Sequence, residues 1–400
     1  MRIIHVMDHS QPKTDGYCIR AKYLLEAQAN AGHHVTVLTS PSQGDDAVNA
    51  EIAGVSYRRS YYSPVEKKIV AAGAKHLIFG AAISRELCSL LNKSQFDLVH
   101  AHTPFTVARV ALREARKRGL PFVYEKRNLW EESARARGKA SGRWPWFQVA
   151  RALDRRVTRQ ADAVCTITEA LKSHTTSFGV PAEKVFVVGN GVDTSEFFPM
   201  PALPELRKQC LGSGDFVIGF VGSFFSFEGL PMLLTVFGRL KNRYPGARLV
   251  LVGDGEAMPE LERLRAEFDF GDSVWLTGRV PHDRVTDFYA AMDVLVYPRY
   301  HSMLTDLISP LKPLEPMAMA RCVVGSNVGG ISGLIRDGDT GLLFKADSLD
   351  ALEARLELLL SHQIDASALG ARAREHVVAH RQWRHMAQAY ENAYLCACRQ

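Results

Sequence analysis

The sequence predicts an α/β protein of two doubly wound domains, each a parallel sheet with helices on both faces. Short apolar, β-branched runs alternate with amphipathic helical patterns along the whole chain, as parallel sheets with helical crossovers require. The alternation halts at Phe198-Pro199-Met200-Pro201-Ala202-Leu203-Pro204, three prolines in seven residues, and then restarts. At 400 residues the chain is also too long for one comfortable core. The domains implied are 1–195 and 205–380, with a linker over 196–204. Two such sheets joined there face across a cleft between their strand C-terminal ends, where ligands bind in folds of this kind.

In the first half, strands are expected at Ile3–Met7, Val35–Thr39, Leu98–Ala101, Phe122–Glu125, Val164–Ile167 and Val185–Val188. Amphipathic stretches such as Arg20–Ala31 and Val107–Lys117 lie between them. Beyond Pro199 the strands are Val217–Val221, Leu249–Val252, Val274–Leu276, Val294–Tyr297 and Cys322–Val324, each followed by a helical pattern. Asp337-Gly338-Asp339 formally matches a metal-holding Asp-x-Asp pattern, but it directly precedes Thr340-Gly341-Leu342-Leu343-Phe344. It reads as a turn leading into a strand. A last helical stretch, Trp383 to about Cys396, has no strand after it.

Composition narrows the class. A hydrophobic fraction of 46% with 23% charged residues is that of a globular protein. The N-terminal run meets Asp8 and His9 at once, so no export is expected, and a cytoplasmic location is. The weakly polar stretch Val70–Ile83 is interrupted by Lys75 and His76 and is too short to span a bilayer. Seven scattered cysteines, none spaced C-x-x-C, fit incidental thiols rather than a disulfide frame or a zinc site. Through Ser195 there are 28 Lys and Arg against 18 Asp and Glu, and beyond it 21 against 25. A basic first half fits a face that meets anionic lipid or a phosphate-bearing acceptor. No nucleic-acid motif accompanies the charge.

Local motifs are weak one at a time. Gly219-Phe220-Val221-Gly222-Ser223 ends a strand before a helix, a junction that can present backbone N–H groups to a phosphate. Tight turns also use glycine for sterics alone. The order of the pieces says more: Asn190-Gly191-Val192-Asp193, Phe197 and Pro199, Gly219–Gly222, Val252-Gly253-Asp254-Gly255, Leu276-Thr277-Gly278, Phe288-Tyr289, Asp293–Pro298, Leu314-Glu315-Pro316-Met317-Ala318, and Val328-Gly329-Gly330-Ile331 with Asp337-Gly338 and Thr340–Phe344. This series resembles the second domain of family 4 glycosyltransferases. The first domain is similar more loosely, through Gly16 and His100-Ala101-His102.

The resemblance implies the GT-B fold, two Rossmann-like domains with the helical stretch 383–400 crossing back to the first. It implies retaining, metal-independent transfer, with no cofactor, from a nucleotide diphosphate sugar to a glycan or lipid-linked acceptor. UDP is the first choice of nucleotide on family frequency. Carried over by position, Glu315 accepts from the donor ribose hydroxyls, Gly16 and Gly222 let backbone approach the diphosphate, Arg279 and Val280 lie near the base, and Gly329 and Gly330 near the sugar. His102 matches the first-domain histidine that touches the transferring sugar, while His100 is read as packing. Lys312, three residues before Glu315, is expected on the same helical turn, with Leu311 and Arg299 as further donor contacts.

Two family positions differ. The usual arginine after the second glycine and the lysine about five residues later are Ser223 and Glu228, and Glu228 is expected to repel phosphate. The usual glutamate pair keeps only Glu315, with Leu307 at the first position and Asp306 beside it. Ser309-Pro310-Leu311-Lys312-Pro313-Leu314-Glu315, with Gly222-Ser223-Phe224 and Glu228-Gly229-Leu230, is similar to transferases of bacterial exopolysaccharide and exosortase-associated loci. After another strand end, Glu125-Lys126-Arg127-Asn128-Leu129-Trp130 makes Glu125, Arg127 and Trp130 candidate acceptor contacts. Basic residues from Arg135 to Arg159 around Trp144-Pro145-Trp146-Phe147 suit either a membrane surface or a solvated basic face over core aromatics. A non-catalytic nucleotide- or glycan-binding protein and a sugar-nucleotide epimerase share the fold and stand as alternatives.

Overall fold

The computed structural model describes residues 1–13, 15–44, 48–71, 75–136 and 145–399, and at 75–77, 130 and 146 the backbone alone. The chain divides into two compact units, Met1–Asn190 with Trp383–Gln400, and Gly191–Gln382.

The first unit is built on strands β1 (Arg2–Met7), β2 (His34–Thr39), β3 (Ala50–Ile52), β4 (Val55–Arg59), β5 (Leu98–His102), β6 (Phe122–Lys126), β7 (Ala163–Thr166) and β8 (Val185–Val187). Their order across the sheet is β3-β4-β2-β1-β5-β6-β7-β8. All neighbours are parallel except β3 against β4. The chain works outward from β1 on one side, then returns to lay β5 on the other. That makes the β1/β5 boundary a topological switch point. Strands such as β5 and β6 are buried along their whole length, including His100, His102, Glu125 and Lys126 toward their carboxyl ends. The helix Phe105–Arg116 turns Val107, Ala108, Ala111, Leu112 and Ala115 inward at three- and four-residue spacing. The helix Trp383–Cys398 belongs to this unit and buries Tyr390 and Tyr394 completely.

The second unit holds β9 (Phe216–Val221), β10 (Ala247–Val252), β11 (Val274–Gly278), β12 (Val294–Tyr297), β13 (Cys322–Ser326) and β14 (Leu342–Phe344). The sheet runs β11-β10-β9-β12-β13-β14, parallel throughout. Its switch point lies between β9 and β12. The helix Leu230–Lys241 buries Leu230, Met232, Leu233, Leu234, Val236, Phe237 and Leu240, each worth about 1.5–3 kcal/mol of transfer free energy.

The expected strands are present, with no end shifted by more than two residues. Strands β3 and β4 are additions. The segment expected as a linker over 196–204 is packed on the second unit instead: Phe197 is buried in its core and meets Tyr289 edge-on. Apolar side chains inside a proline-rich run gave it a surface to settle on. Asp337 and Asp339 do form the turn into β14. Asp337 accepts from the Leu343 amide and pairs with Arg355, while Asp339 pairs with Arg372. No helix among the described residues is long and apolar enough to cross a membrane.

Candidate active site

At the switch point of the second unit, β9 ends at Val221 and the backbone turns at Gly222 with φ +143. A Cβ there would lie 2.3 Å from Cε of Lys312. The lysine stem therefore lies directly on the glycine turn. Beyond β12, Pro298 leads to Arg299, which is buried. Between these strand ends sits Glu228, 1% exposed, in a short turn that feeds the helix Leu230–Lys241. Its Oε1 accepts from Lys312 Nζ at 2.5 Å and from Arg299 Nη2 at 3.0 Å, and its Oε2 from Arg299 Nε at 3.2 Å. Burial alone would raise the Glu228 carboxyl, but Arg299 and Lys312 outweigh it and hold it at about 2.

This overturns the reading of Glu228 as a group that repels phosphate. It is a buried counter-ion for two cations, and the cluster keeps one net positive charge. Arg299 has its Nε and Nη2 on Glu228 and donates from Nη1 to the Ile308 carbonyl. Lys312 is the more open of the pair, its side chain 20% exposed against 8% for Arg299. Its ammonium also lies 3.5 Å from the Ser223 carbonyl and over the Phe220 ring. Lys312 stands in the turn before the helix Leu314–Ala318, not on that helix, because the chain enters it only through Pro313. Burial pushes the Lys312 ammonium down, against the pull of Glu228.

Glu315 opens that helix and accepts from the Tyr289 hydroxyl at 2.7 Å. Burial pushes its carboxyl up. The Tyr297 hydroxyl donates to the Lys312 carbonyl at 3.0 Å and fixes the turn between the two charged residues. Gly329 donates its amide to Asp306, and Gly330 packs where a Cβ would lie 2.3 Å from the Ile308 carbonyl oxygen. These glycines serve close packing and a carboxylate cap. Ser223 and Arg279 are exposed, Val280 and Leu311 half-buried, and Gly16 is the exposed first residue of the helix Gly16–Asn30 in the first unit.

The first unit gathers a second polar cluster at its own switch point. His102 Nε2 lies 2.9 Å from His5 Nδ1, and His102 Nδ1 lies 3.2 Å from Glu125 Oε2. His100 bonds the Tyr394 hydroxyl through Nδ1 at 2.9 Å. Arg20 donates to Glu125 Oε1 at 2.9 Å, to the Gly189 carbonyl and to Asn190. All three histidines and Glu125 are fully buried. Burial drives each histidine pKa down, while Arg20 and His102 outweigh burial at Glu125 and hold it well below the usual carboxylate range. His102 and Glu125 thus belong to one internal network rather than standing open at a strand end. Arg127 is also buried, stacked on Tyr17. The Trp130 side chain and Trp144 lie outside the described residues.

Among the described residues, two sets of three potential metal ligands have their ligand atoms within 4.8 Å of one another, His5/His100/His102 and His9/Asp15/Cys18. In the first, two nitrogens already face each other. In the second, His9 is clamped between Asp8 at 2.8 Å and Asp15 at 2.7 Å. Sequence reasoning missed Glu228 as an anchor, and also Arg20 and His5, and it gave Tyr289 a place in the family series but no role. The available signal was a lone polar residue inside an otherwise apolar run, as in Ile3-Ile4-His5-Val6.

Two parallel doubly wound α/β units, with a charged cluster at the switch point of the second, define the GT-B class of fold. Models of known families agree: the one described as Glycosyltransferase Family 4 matches residues 16–196, and the one described as Glycosyl transferases group 1 matches residues 215–362. The chain belongs to the family 4 glycosyltransferases. It is 26% identical over 384 residues to the alpha-maltose-1-phosphate synthase of Mycolicibacterium smegmatis, covering 92% of this chain and 95% of that one. Sucrose-phosphate synthase from Thermosynechococcus elongatus superposes with a TM-score of 0.76 at 20% identity, over 99% and 98% of the two chains. Anabaena HepE in complex with UDP-glucose gives 0.73 at 17% identity, over 96% and 97%.

Proposed function

We propose that this glycosyltransferase moves a hexosyl group from a nucleoside diphosphate sugar, UDP first among them, to a glycan or lipid-linked acceptor. The proposed transfer retains configuration and uses no metal. The observation that carries the reading is the Glu228–Arg299–Lys312 cluster, set against the Gly222 turn at the β9/β12 switch point. The structure of HepE with UDP-glucose supports a nucleotide-sugar donor.

In the reaction proposed, the bond from the anomeric carbon to the β-phosphate oxygen breaks. An acceptor oxygen bonds that carbon on the same face, and its proton passes to the leaving diphosphate. Charge gathers on the β-phosphate, where preorganised donors act most strongly. Lys312 is the open cation for that task, held ready by Glu228. Glu315 has the acceptor capacity to fix the ribose hydroxyls. A place in bacterial polysaccharide synthesis, on the inner face of a membrane, fits the basic first unit.

The test is a panel of nucleotide sugars, with nucleotide release followed with and without glycan acceptors. Acceptor-dependent release that survives EDTA is expected. Release without transfer, interconversion of the donor alone, or metal-reversible loss under chelation each removes a named part of the reading.

A further inference from the structure

We propose that Arg127 is the anion-binding residue of an acceptor subsite in the first unit, so that the acceptor carries a phosphate or carboxylate group. The proposal rests on the transferase reading above and extends it to the class of acceptor.

Arg127 directly follows β6, at the carboxyl end of the sheet, where doubly wound folds take their ligands. The residue is 6% exposed, and its Nε, Nη1 and Nη2 are all buried without a hydrogen-bond partner. The guanidinium lies over the Tyr17 ring, 3.6 Å from its centroid. That contact fixes the plane of the fork but uses none of its N–H donors. The Tyr17 hydroxyl accepts from the Asp8 amide at 3.2 Å and feels the guanidinium's charge, yet no N–H of the fork meets it in hydrogen-bond geometry.

Other buried cations of this unit show how unusual this is. Arg20 donates to Glu125, Asn190 and two backbone carbonyls. Arg59 bonds Ser10 and the Gln11 carbonyl, and Lys126 pairs with Asp154. Among the described residues, Arg127 alone is a buried guanidinium with every nitrogen unpaired. Leaving such a group without acceptors is costly.

Among the described residues, its surroundings do not supply the missing oxygens. Glu125 is the near countercharge, yet its Oε1 is taken by Arg20 and its Oε2, which makes no hydrogen bond, lies 3.3 Å from His100 and 3.2 Å from His102. Asp8 and Asp15 are bound to His9. Five N–H donors in a fixed plane match the paired oxygens of a phosphate or carboxylate. An oxyanion on the acceptor completes the arrangement.

The experiment measures binding of glucose 6-phosphate, glucuronate and glucose to the full chain, with and without saturating UDP. It compares wild type, Arg127→Gln and Arg127→Lys, with circular dichroism as the check on folding. Wild type should prefer the charged sugars by about tenfold, the worth of a charge-assisted hydrogen bond. Arg127→Gln should abolish that preference and Arg127→Lys retain part of it, while UDP affinity stays within about twofold. A wild type with no preference, or a folded Arg127→Gln that keeps it, overturns the proposal. UDP affinity falling along with the preference assigns the guanidinium to the donor and overturns it equally. Failure of wild type to bind any nucleoside diphosphate counts against the transferase reading, and the UDP-free arm still judges Arg127.

Discussion

Glu228 changes what each neighbouring cation is for. Arg299 is consumed by it, whereas Lys312 shares it and retains access to solvent. Lys312→Ala should therefore weaken UDP binding by roughly 1.5–3 kcal/mol, one charge-assisted hydrogen bond, and slow turnover with little loss of stability. Arg299→Ala should act the other way round, by destabilising the fold. Calorimetric titration paired with thermal unfolding separates the two, and equal UDP affinity in Lys312→Ala and wild type would remove Lys312 from the donor site. Glu228→Gln breaks a buried ion pair and should cost about 3–5 kcal/mol. Because the folded Glu228 carboxyl is held at about 2, against about 4.3 when unfolded, its contribution is complete above the unfolded value and is lost as pH falls toward 2. The variant should show a flatter acid limb over that window. Lysine at this position would place three cations together and should unfold the unit rather than assist it.

At the scale of elements, β1 and β5 each carry histidine into a fully buried layer, through His5, His100 and His102. Burial holds all three folded pKa values below the unfolded value of about 6.5. A lowered histidine leaves stability intact above 6.5, and stability drains as pH falls below it because the unfolded chain binds the extra protons. The slope should approach about 1.4 kcal/mol per pH unit for each histidine. Hydrogen exchange should show β1 and β5 amides losing protection below that pH, while β9 and β12 keep theirs. Equal loss in both sheets would deny the histidine layer this role. The same elements show what could be read from sequence. Parallel strands buried on both faces print mostly apolar runs even where a histidine or a terminal charge interrupts them, so β1, β5, β6 and β9 were legible. The edge pair β3 and β4 was not, because Glu51, Arg58 and Arg59 interrupt short strands whose faces are partly solvated. Site pairs were harder still. Glu228 meets its partners 71 and 84 residues away, and His5 meets His102 across 97, and no local pattern records such a meeting. Position in the family series placed Glu315, Gly222 and Lys312 in one neighbourhood, but it assigned Glu228 the wrong electrostatic sense.

Over the whole molecule, the division into units sharpens the charge asymmetry. The last helix adds Arg384 and Arg399 against Glu391, so the first unit holds 30 Lys and Arg against 18 Asp and Glu, and the second 19 against 25. Nets of +12 and −6 follow, where a cut at Ser195 gives +10 and −4. Part of the first unit's positive charge is displayed, as at Arg109, Lys117 and Arg156, while Phe147 of the aromatic cluster is buried. Any attraction to a bilayer is therefore expected to be electrostatic more than insertional, about 1 kcal/mol for each basic residue brought to an anionic surface. The protein should co-sediment with phosphatidylserine vesicles more than with phosphatidylcholine vesicles at low salt. The difference should shrink as ionic strength shortens the Debye length from about 30 Å at 0.01 M to about 8 Å at 0.15 M. Glutamate at both Arg109 and Arg156 should weaken the low-salt binding without altering UDP affinity, since neither residue belongs to the donor site. Binding that resists salt would point to apolar insertion, and equal binding to both vesicle types would leave a water-soluble acceptor as the substrate of this transferase.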